Sequence, residues 1–221
     1  MTAALEAGAP VEAVFVGPGA DEAVVTPAVD RGIRRYDVDA GVIERIADTV
    51  TPQPVLAVVG FVDQPLDCLE NATFVVVCAG VGDPGNTGTI LRSAEAAGAD
   101  GVVCGDGSVD VYNPKAVRAS AGSLFHVPIV AGGDPVDVVD QLGRWGLTTI
   151  AAVAHGGTDP VAVDLRQRVA VVVGNEATGL AAPVEQAAAV KVTIPIRGRA
   201  ESLNVGMATA VLAFEVARQR R

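Results

Sequence analysis

Aromatic residues make up only 4% of this 221-residue sequence, although half of it is apolar. The core must therefore be assembled from Val, Ala, Leu and Ile. That favours alternating strands and helices over an aromatic-rich β barrel. Cysteine is scarce as well. Cys68, Cys78 and Cys104 are odd in number, and no two lie two or three positions apart. This excludes a disulfide framework and a paired-cysteine zinc site, and it fits reduced thiols in a cytoplasmic protein. His126 and His155 have no Cys or His neighbour, so no metal site is expected. No run of about 18 uncharged apolar residues is present, which argues against a membrane span. The opening MTAALEAGAP has neither a basic start nor an apolar signal core, so export is not expected. A basic excess is also missing. The net charge is −10, with 4 basic and 11 acidic residues in 1–69, and 12 and 15 in 70–221. A whole-protein field for nucleic acid is excluded, and any polyanion site must be a local cluster.

The rest of the chain is rich in short apolar runs. In the first third, 11–16 and 55–62 read as strands, and 21–28 and 40–48 as helices. Residues 63–67 have linker character. This front part, 1–66, is a small α/β module of marginal size. From residue 70 the rhythm steadies. Strands are expected at 74–80, 101–105, 126–130, 147–154, 169–174 and 189–195. Helices are expected at 87–99, 113–123, 134–146 and 202–221. Asn113 and Asp134 stand ahead of prolines as caps, Ser202 caps the last helix, and Arg218, Arg220 and Arg221 suit its C-terminal dipole. Strands without polar alternation, separated by helices, predict a parallel sheet with helices on both faces over 70–221. Ligands on such sheets bind beyond the carboxyl ends of the strands.

Three glycine-bearing loops follow such strands. The first is Val81 to Arg92; with Gly80 just before it, Gly82 and Gly85 fall at the spacing of a dinucleotide fingerprint. Alone that match is weak, and no clear acidic residue ends the next strand. The loop also carries Asn86 and Arg92; the arginine is either a solvated charge or an anion clamp. The second is VVVGNEATGL, 171–180. There Asn175 is either a helix cap beside a turn glycine or part of a small-molecule site. The third runs from Ile194 to Val205 and brackets Gly198 between Arg197 and Arg199.

Taken together, Asn86-Thr-Gly-Thr-Ile-Leu-Arg92, Val173-Gly-Asn-Glu-Ala-Thr-Gly179 and Ile194-Pro-Ile-Arg-Gly-Arg-Ala-Glu-Ser-Leu-Asn-Val205 resemble the SpoU or TrmH-like RNA ribose 2′-O-methyltransferases of the SPOUT superfamily. Asn113 to Pro128 is similar to that family's middle segment. The resemblance covers about residues 72–219, and the front part looks like a shortened ribosomal-protein-L30e-like substrate-binding module. It implies a C-terminal deep trefoil knot, a homodimer formed through the knotted domain, and S-adenosylmethionine as methyl donor. It also implies ribosomal or transfer RNA as substrate, with no metal. By likeness, Val173, Gly174, Asn175, Gly179, Ile194, Ile196, Ser202 and Leu203 hold the cofactor. Arg92, Asn86, Glu176, Ser202 and Asn204 form the catalytic set, with Arg92 expected as a phosphate anchor. Arg31, Arg34, Arg35, Lys115, Arg118, Arg197 and Arg199 are the candidate RNA contacts. A non-catalytic RNA-binding relative and a nucleotide-dependent oxidoreductase are the alternatives.

Overall fold

Valine and alanine do most of the packing, as the scarcity of aromatics requires. The computed structural model describes residues 1–47 and 51–221. It divides into two units, Met1–Val62 and Asp63–Arg221. The first contains α1 (Thr2–Glu6), β1 (Val11–Val16), α2 (Glu22–Val29), β2 (Arg34–Asp37), α3 (Val42–Ile46) and β3 (Val55–Val59). β1 pairs in parallel with β2 and antiparallel with β3. Leu5, Val14, Val16, Val25 and Ala28 form its core. The Asp21 carboxylate caps α2 by accepting from the Ala23 amide. Residue 48, the end of the helix expected at 40–48, lies outside the described residues. The sequence reading places no strand at 34–37, because Arg34-Arg-Tyr-Asp37 shows no apolar alternation. All four residues are exposed, and this edge strand is held by its ladder to β1.

The second unit starts earlier than expected. The hydroxyl of Tyr112 accepts from the Asp63 amide and donates to the Asp63 carboxylate, both at 2.7 Å. Leu66–Leu69 forms a 3-10 turn that buries Leu69, so residues 63–67 are not a free linker. Then follow β4 (Phe74–Ala79), α4 (Pro84–Ala96), β5 (Gly101–Cys104), α5 (Pro114–Ala119), β6 (Ile129–Ala131), α6 (Pro135–Arg144), β7 (Thr148–Ala152), β8 (Val169–Gly174), α7 (Ala182–Ala187), β9 (Val190–Val192) and α8 (Val205–Gln219). The strands form one six-stranded sheet in the order β6-β5-β4-β8-β7-β9, and every pairing is parallel. All residues of β4 and β8 are buried. Ile90, Leu91 and Ala94 of α4 pack with Leu212, Ala213 and Val216 of α8 on one face. Val138, Val139 and Leu142 of α6 pack with Val184 of α7 on the other. The doubly covered parallel sheet is the one anticipated.

Boundaries differ where a cap was misread. α4 begins three residues before the expected 87, because Asp83 caps it by accepting from the Asn86 amide at 2.8 Å. Pro84 and Asn86 therefore belong to a helix, not to a loop. α8 is capped by Asn204, which accepts from the Met207 amide, and not by Ser202. The strand order reverses between β4 and β8, so the loops leaving these two neighbours face each other at the sheet's carboxyl edge.

Candidate active site

Asn175 staples those two loops together. Its side-chain amide donates to the Gly80 carbonyl at 3.0 Å, and its carbonyl oxygen accepts from the amides of Ala177 (2.9 Å) and Thr178 (3.2 Å). Its backbone amide and carbonyl both bond Gly179, at 3.0 and 2.9 Å, closing a tight turn. No helix starts here, since α7 begins at Ala182. The helix-cap reading of GNEATGL therefore fails. Gly174 is required by the same turn: a Cβ there would collide with the Gly179 backbone.

The Glu176 carboxylate is the hub of the site. It accepts from the Asn86 side chain at 2.8 Å and from the amides of Gly82 and Asp83, both at 3.1 Å. Partial burial pushes this carboxyl upward. Hydrogen bonds from Asn86 and from the amides of Glu176, Gly82 and Asp83 outweigh that effect and leave it below the ordinary glutamate value. The dinucleotide fingerprint is thereby excluded. The Gly82 amide, which a pyrophosphate would need, is taken by a carboxylate, and Gly85 lies inside α4. On its other side, Asn86 accepts from the Asn204 side chain at 2.9 Å. One chain of bonds, Asn204–Asn86–Glu176, thus joins all three sequence motifs. The helices come close enough for this because α8 has Gly206 against Thr89 of α4, where a Cβ would sit 3.0 Å from the Thr89 side chain.

Beside this chain lies a cavity of about 450 Å³, bounded by the ends of β7 and β8, the 194–203 loop and the first turns of α8. That volume falls within the range of small-molecule sites. Val173, Gly174, Asn175, Gly179, Ile194, Ile196, Ser202 and Leu203 all line it, as does Glu176. Asn86, Asn204 and Arg92 do not. The sequence reading missed His155, Leu180 and Glu185 in the wall, together with Val205, Ala208 and Leu212 beneath. Their signal was available in the position of Ala152–His155 after a parallel strand. Among the described residues, two carboxylates, Glu176 and Glu185, line the cavity, and no Lys or Arg does. Glu185 is ion-paired to Lys191. The walls suit a partly apolar ligand that carries positive charge, and they disfavour a diphosphate.

Arg92 is exposed on α4, six residues beyond Asn86 and one turn beyond Thr89. Its guanidinium makes no hydrogen bond or ion pair among the described residues. Arg31, Arg34, Lys115, Arg197 and Arg199 are likewise exposed, with side chains that make no such contact among the described residues. Arg118 is exposed but not free. Arg35 differs: it bonds Glu22 at 2.7 Å and Asp37 at 2.8 Å, which neutralises it.

Fold and site together define a doubly covered α/β protein with a small-molecule cavity at the carboxyl ends of β7 and β8. Comparison with known proteins makes this specific. Residues 73–214 match the model of the SpoU rRNA Methylase family, and the chain belongs to that family. It is 34% identical over 196 residues to the 23S rRNA (guanosine(2553)-2′-O)-methyltransferase RlmP of Bacillus subtilis, an alignment covering 89% of this chain and 77% of that protein. It is 37% identical over 173 residues to a 23S rRNA (uridine(2479)-2′-O)-methyltransferase of Streptomyces viridochromogenes, covering 74% of this chain and 60% of the relative. The crystal structure of the SpoU methyltransferase AviRb from the same organism, in complex with AdoMet, superposes with a TM-score of 0.88 at 29% identity. That superposition covers 99% of this chain and 87% of that one.

Proposed function

We propose that this protein is an S-adenosylmethionine-dependent RNA ribose 2′-O-methyltransferase that acts on ribosomal or transfer RNA in the cytoplasm. The observation that carries the reading is the Asn204–Asn86–Glu176 chain, which ties α4, the 174–179 turn and the start of α8 together beside a cavity that Glu176 lines. S-adenosylmethionine bound there supplies a sulfonium methyl that is already a strong electrophile. Ile194, Ile196, Leu203 and the backbone around Gly174 would hold its nucleoside, and the Glu176 carboxylate suits its positive charge.

The remaining work falls to this chain's own side chains. A ribose 2′-hydroxyl is a weak nucleophile until its proton leaves, so it must be aligned and its neighbouring phosphate fixed. Arg92 is the anchor for that phosphate. A guanidinium keeps its protons across the working pH range and grips phosphate through two parallel N–H donors. The Asn86–Glu176 bond fixes the first turn of α4 and hence the helix that carries Arg92. Ser202, at the cavity wall, would help position the cofactor and the nucleotide. Arg31, Arg34, Lys115, Arg118, Arg197 and Arg199 form the local track for the RNA backbone, which an acidic protein needs. Arg35 contributes less because its charge is already paired.

The Met1–Val62 unit is read as an L30e-like module for RNA recognition. The second unit is read as a homodimerising domain. Met207, Val211 and Phe214 stay 62%, 46% and 49% exposed along one side of α8, while Leu212, Ala213 and Val216 on the other side are buried in the core. An apolar stripe on a helix already packed by its opposite face fits a second copy, and sedimentation velocity reads it. The trefoil knot is part of the same proposal. β9 lies outboard of β7, yet α8 returns to pack on β8 and α4, and its end is bonded to the connection between β7 and β8.

The test is transfer of labelled methyl from S-adenosylmethionine to total bacterial RNA, followed by mapping of the modified ribose. Label on a base, or none at all, removes the assignment. A rise in melting temperature with NAD and none with S-adenosylhomocysteine points to the oxidoreductase instead.

A further inference from the structure

The C-terminal end of α8 is where the sequence predicts three arginines resting on a helix dipole. Arg218 instead pairs with Glu215 at 2.7 Å. Arg220 turns back onto the chain. Its Nε donates to the Leu165 carbonyl (3.1 Å), one Nη to the carbonyls of Gln167 (2.7 Å) and Thr73 (2.8 Å), and the other Nη to the Thr73 hydroxyl (3.2 Å). The guanidinium also lies over the Phe74 ring, 5.7 Å from its centre. Gln219 acts alongside it. Its oxygen accepts from the Leu165 amide at 3.0 Å, and its nitrogen donates to the carbonyls of Val163 (3.2 Å) and Pro160 (3.4 Å) and to Glu215 (2.9 Å).

Two side chains thereby bond backbone groups at four points of one connection, the segment from β7 to β8. Its first part is tied to β9 and the residue after it, through Val153 to Val192, Thr158 to Lys191 and Thr193, and Gly157 to the Thr193 hydroxyl; beyond a 3-10 turn at Pro160–Ala162, the later part has no strand ladder to satisfy its amides and carbonyls. Its first residues, Val153 to His155, form one wall of the cavity, and Val205, Ala208 and Leu212 of α8 form another. The helix acts as a strut: its first turns line the cavity, and its far end holds the later part of the segment whose first residues form another wall.

We propose that Gln219 and Arg220 are positioning residues that set the shape of the cofactor cavity by clasping the 153–168 connection to the end of α8. This rests on reading the cavity as the S-adenosylmethionine site. Without the clasp the connection samples open forms, and apparent affinity falls in proportion to the closed fraction. A closed fraction of one tenth weakens binding about tenfold, with turnover at saturating cofactor retained.

The experiment is calorimetric titration of S-adenosylhomocysteine into the wild type, R220A, Q219A and the control R221A. Amide hydrogen exchange over 153–168 is followed in the same samples. Expected are Kd values about tenfold weaker for R220A and Q219A, faster exchange confined to that connection, and no change for R221A. A Kd within twofold of wild type in folded R220A and Q219A, even with a lowered melting temperature, overturns the proposal and leaves a purely structural role. If R220A does not fold, Q219A decides alone, since it keeps the guanidinium. If the wild type itself fails to bind S-adenosylhomocysteine, it is the function that fails. The exchange data then still report whether the connection opens when the clasp is cut.

Discussion

The two ends of α8 are built in opposite ways. At the N-terminal end, Asn204 meets Asn86 and Asn86 meets Glu176, all through side chains, at the edge of a cavity. At the C-terminal end, Gln219 and Arg220 bond mostly backbone groups away from the cavity. Side-chain pairs at an accessible edge can be re-made around a ligand, with water or substrate taking the freed valences. At the other end, the bonds to Pro160, Val163 and Leu165 are partly buried, and breaking them leaves backbone polar groups with poorer access to water. The first end is therefore suited to chemistry and the second to holding shape. A substitution near the first should change rates with little effect on folding, and one at the second should change affinity and stability together.

The sharpest break in this comparison is Arg92→Ala. Arg92 sits on α4 one turn beyond the residue that touches Gly206, and it has no partner among the described residues. Nothing in the fold depends on it, so the melting temperature should stay within about 2 °C, as for a surface substitution with no folded partner. Methyl transfer at saturating cofactor should fall at least about 10²–10³-fold, the loss seen when one positioned charge donor is removed. Activity within a few-fold of wild type would take Arg92 out of the mechanism.

A smaller effect separates two glutamates, one at each end. Hydrogen bonds hold Glu176 below the ordinary value of 4.5 against the opposing pull of partial burial. Glu215 lies below the same value, chiefly through its bond from Arg218, with burial opposing. In both cases the folded pKa is depressed. Each therefore adds stability that is present above about pH 4.5 and is lost as pH falls through the folded pKa. Glu176→Gln and Glu215→Gln should each flatten the acid limb of a stability-against-pH curve, measured by urea unfolding between about pH 2 and 6. At neutral pH the two part company. Glu176→Gln should cut turnover about tenfold, within the range for one lost positioning contact. Glu215→Gln should act on cofactor affinity, through Gln219. Equal effects on turnover would erase the distinction between the two ends.

Much of this was legible in the residues. The doubly covered sheet follows from β4 and β8, two fully apolar strands with no alternation. The second and third motifs supply much of the cavity wall, as the family resemblance implies, whereas the first motif stands beside the cavity and does not line it. What escaped has physical causes. Asp83 and Pro84 carry the same cap-and-proline signal as Asp134 and Pro135, but the surrounding glycines masked it, so Asn86 was placed on a loop. Asn175 looked like a cap because asparagine both caps helices and closes turns, and only its bonds to Gly80 and Gly179 decide between them. The clasp was invisible because Arg220 is 147 residues from Thr73 in sequence. A basic helix end is adequately explained by the dipole until its partners are seen. β2 was missed because an edge strand paired on one side needs no apolar pattern.

The finest distinction concerns which cations are still available for RNA. Arg197 and Arg199 are exposed, have no partner among the described residues, and sit on the loop whose Ile194, Ile196, Ser202 and Leu203 line the cavity. Arg35 is held by Glu22 and Asp37, so a phosphate would have to displace a carboxylate to use it. A phosphate contact releases counterions only if the cation was free beforehand. Arg197→Ala and Arg199→Ala should each lower the slope of log K against log salt for RNA binding by about one, with little sequence dependence. Arg35→Ala should change that slope much less, even though it removes the same formal charge. Filter binding between about 50 and 200 mM salt, where such slopes are resolved, separates the two classes. A large slope change for Arg35→Ala would mean that the ion pair seen in the free protein is given up on the RNA.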